Sequence, residues 1–303
     1  MNSLLYALVV FIWGTTWIAL KWQLGVVPIP QSIAYRFALA AVVMFAILVW
    51  RRQLVRPRGD AVWLVAAQSV CLFCLNFVCF LNASETLPSG LIAVVFSTST
   101  LWNALLARLI HGRRIAPQVV GGGFVGLAGL LLLFWPQIAG HATDADTLIG
   151  LAWAFGGTLC FSSGNLLSAA LQARGLQPAQ TNAWGMAFGT LLLLGYCLVA
   201  DAPFMFDSGA RYTGALLYLA IPGSVIAFTA YLTLVGRLGP ERAAYSTVLF
   251  PVVALNVSTI FEDYHWTAMA LAGLVLVMLG NVLVFRKKRG GAVMATAAAS
   301  EVR

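Results

Sequence analysis

The sequence predicts an all-α polytopic membrane protein of ten transmembrane helices, arranged as two inverted five-helix repeats with both termini in the cytoplasm. Three observations predict this fold: the composition, the division of the chain into apolar runs, and the position of the basic residues. Hydrophobic residues make up 61% of the chain, charged residues make up 9%, and the mean hydropathy is +0.89. Because charged residues make up about 25% of a soluble domain, this composition excludes a soluble globular protein.

Apolar runs between charged residues or Pro and Gly breaks divide the chain into ten predicted spans. About 20 apolar residues cross the hydrocarbon layer of a bilayer, and each run is close to that length. The predicted spans are 3–22, 30–50, 61–82, 88–110, 117–135, 149–171, 181–200, 212–235, 242–261 and 267–285. No stretch between them is long enough for a soluble catalytic or nucleotide-binding domain.

Basic residues cluster in the loops that follow the even-numbered spans. Arg51 and Arg52 follow span 2, Arg113 and Arg114 follow span 4, and the run 286–289 follows span 10, whereas most acids lie in the opposite loops. The positive-inside rule therefore predicts that both termini lie in the cytoplasm. We expect the protein in the plasma membrane, which in bacteria is the inner membrane. The net charge of +8 is thus a topology signal, and we expect no nucleic acid partner.

The two halves of the sequence resemble each other. When Pro88 is placed on Pro240, the following segments 90–99 and 242–251 align, and Gly122 and Gly129 then fall on Gly273 and Gly280. We predict a first repeat at 1–140, a second repeat at 141–290, and a disordered cytoplasmic tail at 291–303. Since each repeat has five spans, the two copies face in opposite directions, which favours a substrate site at the midplane and alternating access.

These features resemble the drug/metabolite transporter superfamily, specifically its EamA-type exporters, and are most similar to the aromatic amino acid exporters. The resemblance rests on Trp13-Gly14-Thr15-Thr16-Trp17, Arg36, the stretch 88–103, Leu249-Phe250-Pro251-Val252 and the two glycine pairs. It covers essentially the whole chain. It implies two five-helix repeats around a central cavity, with the fifth span of each repeat outside that cavity.

The most polar stretch inside a predicted span is Ser97-Thr98-Ser99-Thr100-Leu101-Trp102-Asn103 in span 4. Polar groups at that depth meet water only where the protein supplies a cavity. Four consecutive hydroxyls cannot face one direction on a helix, so some must bond back to the backbone while others point inward. Candidate substrate-binding residues here are Thr98, Ser99, Trp102 and Asn103. Helix packing is the alternative role for each hydroxyl.

Span 1 carries two indoles and a hydroxyl near one helical face. Trp13 and Trp17 are four residues apart, Thr16 lies beside them, and Lys21 continues the stripe towards the outer end. Interfacial Trp is the common case in membranes, but Trp13 lies near the middle of its span. We therefore predict that Trp13, Thr16 and Trp17 line a cavity, whereas snorkelling accounts for Lys21.

Arg36 lies more than one turn inside span 2, and span 2 contains no acid. A cation inside a membrane is a functional hypothesis by default, and we consider Glu85 or a substrate carboxylate as its partner. The structural alternative is that Arg36 snorkels outwards or caps backbone carbonyls.

Other spans add polar and aromatic groups at similar depth. The further candidates are Asn76 and Phe77 in span 3, Ser163 in span 6, Trp184 in span 7, Tyr231 in span 8, and Tyr245, Ser246 and Pro251 in span 9. Pro222 and Pro251 lack the N–H that would bond four residues back, so each frees a carbonyl for a substrate or simply kinks its helix. Spans 5 and 10 are aliphatic with small residues, which fits peripheral supports or a dimer face.

No Asp or Glu lies deep inside any predicted span, which argues against a drug/proton antiporter with a buried carboxylate. We therefore expect an exporter of small amphipathic metabolites, chiefly amino acids with aromatic ones preferred, working as a uniporter or facilitator. Alternatives are a proton-coupled exporter of other metabolites or drugs, and a passive channel. An enzyme acting on lipid would need a buried base, nucleophile or metal, which the spans lack.

The five cysteines fall inside spans and the three histidines in separate loops. We therefore expect no cofactor, metal or disulfide. The expected partners are a small-molecule substrate, the lipid bilayer, and at most one weakly bound second copy through spans 5 and 10.

Overall fold

The computed structural model describes residues 2–111, 117–140 and 145–285, which form ten helical segments and no strand. In chain order these are α1 (Asn2–Lys21), α2 (Ile29–Trp50), α3 (Asp60–Thr86), α4 (Ser89–Ser97 and Ser99–His111), α5 (Pro117–Gly140), α6 (Ala145–Ala173), α7 (Pro178–Val199), α8 (Ala210–Leu238), α9 (Pro240–Ala243, Ala244–Leu249 and Phe250–Phe261) and α10 (Ala268–Phe285). The ends lie within a few residues of the predicted spans. The predicted tail 291–303 lies outside the described residues.

Seven of the described helices are long and apolar enough to cross a membrane. Shorter apolar stretches of α5, α9 and α10 cover Val120–Leu133, Ser246–Phe261 and Ala268–Leu283. The chain is therefore an all-helical integral membrane protein, while the count of ten crossings and the position of the termini stay predictions.

The helices pack in a pattern with internal symmetry. Three contacts join equivalent helices of the two halves: α2 with α7, α4 with α9, and α5 with α10. Two further contacts, α3 with α6 and α8 with α1, are equivalent to each other. Exchanging α1–α5 with α6–α10 therefore maps this set of contacts onto itself. The first four helices of each half surround the centre of the bundle, and α5 and α10 lie together at its side.

The small residues of α5 and α10 are used within one chain. A Cβ atom added at Gly129 would lie 2.6 Å from the carbonyl oxygen of Gly273, and one added at Gly280 would lie 2.5 Å from that of Gly122. Only glycine permits backbones to approach so closely. These glycines therefore fit the role of packing supports within one chain, and the oligomeric state stays a prediction.

Two helices widen into π-helical turns at corresponding places. The turn in α8 spans Leu219–Ile226 and contains Pro222, as the missing N–H predicts, but the turn in α3 at Val70–Leu75 has no proline. In α9 a 3-10 segment ends at Leu249, so Pro251 lies in the first turn of the next α-helical segment. Pro251 thus lies where a first turn tolerates proline without loss of a bond, and not in the middle of a regular α-helix.

Candidate functional site

A small cavity lies at the centre of the bundle, between the two halves. Its walls come from α1, α2, α3, α4, α6 and α8, and its lining is Trp13, Thr16, Trp17, Leu20, Arg36, Phe77, Phe80, Phe96, Phe161 and Phe228. The cavity volume is about 30 Å³, enough for about one water molecule. Since pockets for small ligands measure about 300 to 1,000 Å³, these side chains must move before a metabolite can enter.

Trp13 joins α1 to the π-helical turn of α8. Its Nε1 donates to the carbonyl oxygen of Gly223, a residue of that turn, at 3.0 Å. The indole meets the rings of Phe228 and Tyr231 at centroid distances of 4.8 and 5.0 Å. Edge-to-face and tilted contacts of this kind position rings firmly, so the wall is an ordered aromatic cage.

Arg36 is 2% exposed and lies beside the same turn. Its Nε donates to Ser224 Oγ at 3.0 Å, and Ser224 Oγ donates to the carbonyl oxygen of Leu219 at 2.8 Å. The guanidinium carbon lies 4.1 Å from the ring centroid of Phe77. Glu85 is exposed and forms no ion pair with Arg36, so our expectation of that acid as partner is wrong.

An ionic cluster closes the bundle at the end that carries Lys21. Lys21 Nζ lies 2.8 Å from Glu262, whose carboxylate also accepts from the Ser89 backbone N–H at 3.1 Å and from the hydroxyls of Ser89 and Ser258. Burial by itself raises the pKa of Glu262, but the bonds from Lys21, Ser258 and Ser89 outweigh it, so the pKa lies below its ordinary value. The cluster joins the ends of α1, α4 and α9.

At the other end an open vestibule approaches the cavity. Two adjoining volumes of about 610 and 690 Å³ share Ala169, Ala173, Gly239 and Pro240 among their lining residues. Packed rings separate this vestibule from the cavity, with Phe161 and Tyr231 at a centroid distance of 5.3 Å. The cavity thus lies between an ionic cluster on the Lys21 side and a layer of aromatic rings on the vestibule side.

Five of the sixteen predicted site residues line the cavity, namely Trp13, Thr16, Trp17, Arg36 and Phe77. Tyr231 lies directly behind them: its ring contacts Trp13, and its hydroxyl accepts from Asn165 Nδ2 at 3.1 Å.

The hydroxyl run of α4 lies elsewhere. The Thr98 hydroxyl donates to the Val95 carbonyl at 2.7 Å, and Ser99 Oγ lies 3.2 Å from Thr247 Oγ1 on α9. Thr98 and Trp102 line a separate apolar groove of about 310 Å³ beside α5, and Asn103 lines the vestibule. The alternative role as helix-packing groups therefore describes these hydroxyls better than contact with the central cavity.

The remaining candidates also lie away from the cavity. Asn76 donates to the Gly157 carbonyl at 3.0 Å, Ser163 to the Leu159 carbonyl at 2.9 Å, Trp184 to the Val55 carbonyl at 2.9 Å, and Ser246 to the Ala243 carbonyl at 2.9 Å. Pro251 is buried in α9, and the side chain of Tyr245 lies outside the described part of the chain.

Sequence reasoning missed four phenylalanines and Leu20 in the cavity wall. Phe80 lies three residues after Phe77, so helical spacing could have found it. Phe96, Phe161 and Phe228 carry no such signal, because a phenylalanine in an apolar span is indistinguishable from packing residues. The ionic cluster was also missed, since its members come from three distant segments.

Comparison with known proteins agrees with this architecture. The sequence profile of the EamA-like transporter family matches residues 2–135 and again 148–286. A "Probable amino-acid metabolite efflux pump" of Escherichia coli (strain K12) is 24% identical, covering 92% of this chain and 93% of its own. The "Uncharacterized inner membrane transporter YedA" of the same organism is 26% identical, covering 92% and 90%.

A protein of known crystal structure has the same fold, with a TM-score of 0.69 at 18% identity over 98% of both chains. Since the family profile matches most of the sequence, this chain belongs to the EamA-like transporter family.

Proposed function

We propose that this protein exports small amphipathic metabolites, most of all amino acids with aromatic side chains, by alternating access through the central cavity. The observation that carries the proposal is a narrow cavity with aromatic walls and one buried guanidinium in its lining. Membership of a transporter family supports it, as does the similarity to a relative named as an amino-acid metabolite efflux pump. We assign no enzymatic reaction to the cavity.

The aromatic wall accounts for the preference among amino acids. A substrate ring that enters between Trp13, Phe77 and Phe228 exchanges water for ring edges and faces. Each ring pair of good geometry contributes about 0.5 to 1.5 kcal/mol beyond the burial of its area. An aliphatic side chain receives only the burial term, so it binds more weakly.

The ionic cluster and the aromatic layer, on opposite sides of the cavity, support the proposal of alternating access. With both termini in the cytoplasm, the Lys21 end is the outer end, and the vestibule beside Pro240 opens to the cytoplasm. Substrate then enters from the vestibule when the layer of Phe161 and Tyr231 parts. Release outside requires the cluster around Glu262 to open while the aromatic layer is closed.

We propose transport without proton coupling. Arg36 is the charged residue among the described side chains that line the cavity, and no carboxylate in that lining could exchange a proton for substrate. The carboxylate of Glu262 is already engaged by Lys21 at the end of the bundle. The alternatives are a proton-coupled exporter of other metabolites or drugs, and a passive channel. A cavity of only about 30 Å³ between packed rings favours a carrier over an open channel.

Counterflow into liposomes that contain the pure protein tests this proposal. Labelled phenylalanine, threonine and a sugar phosphate are compared, with and without a pH gradient. We expect phenylalanine to accumulate fastest and the pH gradient to have little effect. Accumulation of the sugar phosphate alone would exclude amino acids, and strong stimulation by the gradient would exclude uncoupled transport.

A further inference from the structure

Arg36 is a buried cation without a counterion in the described part of the chain. The ion pairs of Lys21 with Glu262 and of Arg174 with Asp60 do not involve it. The guanidinium donates one hydrogen bond, from Nε to Ser224, and its carbon lies 4.1 Å from the ring centroid of Phe77 and 5.1 Å from that of Phe37. Its Nη1 has no hydrogen-bond partner. An unpaired charge at this depth is expensive, so its retention calls for a ligand of opposite charge.

The structural alternatives for Arg36 do not fit its surroundings. A snorkelling side chain would reach solvent, but Arg36 is 2% exposed. A guanidinium that caps a helix would donate to carbonyl oxygens, but the bond from Nε goes to a hydroxyl. The rings of Phe77, at 4.1 Å, and Phe37, at 5.1 Å, offset only part of the lost hydration.

A second unpartnered donor belongs to the same wall. Trp17 lines the cavity together with Arg36, and its buried Nε1 has no acceptor. The hydroxyl of Thr16 is already used, since it donates to the Trp13 carbonyl at 2.9 Å. The Thr16 oxygen can still accept a bond, but the free donors of the described wall are the N–H groups of Arg36 and Trp17, which fit an acceptor-only group such as a carboxylate.

We propose that Arg36, assisted by Trp17, binds the carboxylate of the transported molecule and makes that group a requirement for transport. This inference rests on the proposed function and narrows its substrates to amphipathic carboxylates: amino acids and aryl acids bind, whereas amines and amides of the same shape do not. Ser224 is a positioning residue, because its bond to Nε fixes the plane of the guanidinium.

An analogue series on the unmodified protein is the first test. We measure how strongly four unlabelled compounds inhibit the counterflow of labelled phenylalanine: phenylalanine, 3-phenylpropionate, phenethylamine and phenylalaninamide. We also measure how far each compound raises the Tm of the detergent-purified protein. We expect the two carboxylates to inhibit and to raise the Tm, with at least about tenfold higher concentrations needed for the amine and the amide. Equal effects of phenylalanine and its amide would overturn the assignment of Arg36 and leave export itself intact.

Variants then assign the effect to the side chain. In Arg36→Gln the preference for phenylalanine over phenylalaninamide disappears, and in Arg36→Lys it is reduced, because an ammonium lacks the two-pronged geometry. The control is Arg174→Gln, which removes an exposed arginine from a surface ion pair and leaves the preference unchanged. A full preference in Arg36→Gln would refute the proposal.

The two proposals fail in different ways. Amino-acid export is refuted if the protein moves no amino acid. The carboxylate site is still supported in that case if 3-phenylpropionate raises the Tm of the wild type and of Arg36→Lys more than that of Arg36→Gln. If Arg36→Gln does not fold, the analogue series on the wild type decides the inference alone.

Discussion

Replacing Glu262 by Gln tests how the Lys21 end of the cavity is closed. The substitution keeps the shape of the side chain but removes the charge that attracts Lys21 Nζ at 2.8 Å and the donors of Ser89 and Ser258. We expect the variant to shift the carrier towards the state in which this end is open. The matched control is Asp263→Asn, which removes an exposed acid next in the chain.

The size of the shift follows from the contacts. Hydrogen bonds to a charged group are worth about 1.5 to 3 kcal/mol when they are buried. The side chain of Glu262 is 5% exposed but that of Lys21 is 35% exposed, so solvent screening reduces the ion pair to at most about 1 kcal/mol. Since Gln keeps part of the bonding, the net loss is about 1 to 2 kcal/mol, or roughly 5- to 30-fold in the equilibrium.

Cysteine labelling measures this shift. Leu20 lies in the cavity wall, one residue before Lys21, and is 3% exposed. In Leu20→Cys, an impermeant maleimide added outside reaches the introduced thiol only when the Lys21 end opens, and peptide mapping separates this label from the native cysteines. We expect labelling to accelerate several-fold when Glu262→Gln is added. Unchanged labelling, or equal acceleration by Asp263→Asn, would refute the role of the cluster.

Three further predictions concern packing, pH and the aromatic wall. Gly273→Val lowers the Tm, because a Cβ atom there would lie 2.6 Å from the Gly129 carbonyl oxygen, and such overpacking costs about 1 to 3 kcal/mol. The control is Gly195→Val, since no atom lies within 4 Å of a Cβ at that position. Equal Tm values for the two variants would contradict this packing. The pKa of Glu262 is lowered from its ordinary value of 4.5, so the ionised carboxylate stabilises the cluster fully at any pH above that value. This stability is lost only as the pH falls through the lowered pKa. Labelling of the thiol introduced by Leu20→Cys therefore stays constant from about pH 5 to about pH 8 after correction for the reagent, and a steep rise at about pH 6 would contradict it. Trp13→Ala slows phenylalanine counterflow by about tenfold or more relative to Trp13→Phe, which keeps a ring in the wall, and equal rates would exclude Trp13 from binding.

The helices were predictable from the sequence because hydropathy and length decide them. The predicted span 30–50 became Ile29–Trp50, and the proline of span 8 correctly marked an irregular turn. The π-helical turn at Val70–Leu75 was not predictable, because no proline or glycine marks it. Its correspondence to the turn of α8 becomes visible only in three dimensions.

The helix that carries each site residue could be predicted, but the direction of the side chain around the helix axis could be predicted only in part. The stripe of Trp13 and Trp17 did face the cavity, since α1 is regular and its spacing can be read directly. Helix α4 is interrupted at Thr98, so regular spacing no longer tells which way the following residues point. The hydroxyls there bond within and between helices, while phenylalanines of α3, α4, α6 and α8 complete the wall.

A structure with 4-iodophenylalanine bound tests the central claim most directly, because the iodine and the carboxylate mark the two ends of the substrate. We predict the iodinated ring between Trp13, Phe77 and Phe228, with the carboxylate within hydrogen-bond distance of Arg36. Iodine in the apolar groove beside Trp102, with Arg36 still unpartnered, would contradict a central carboxylate-binding site.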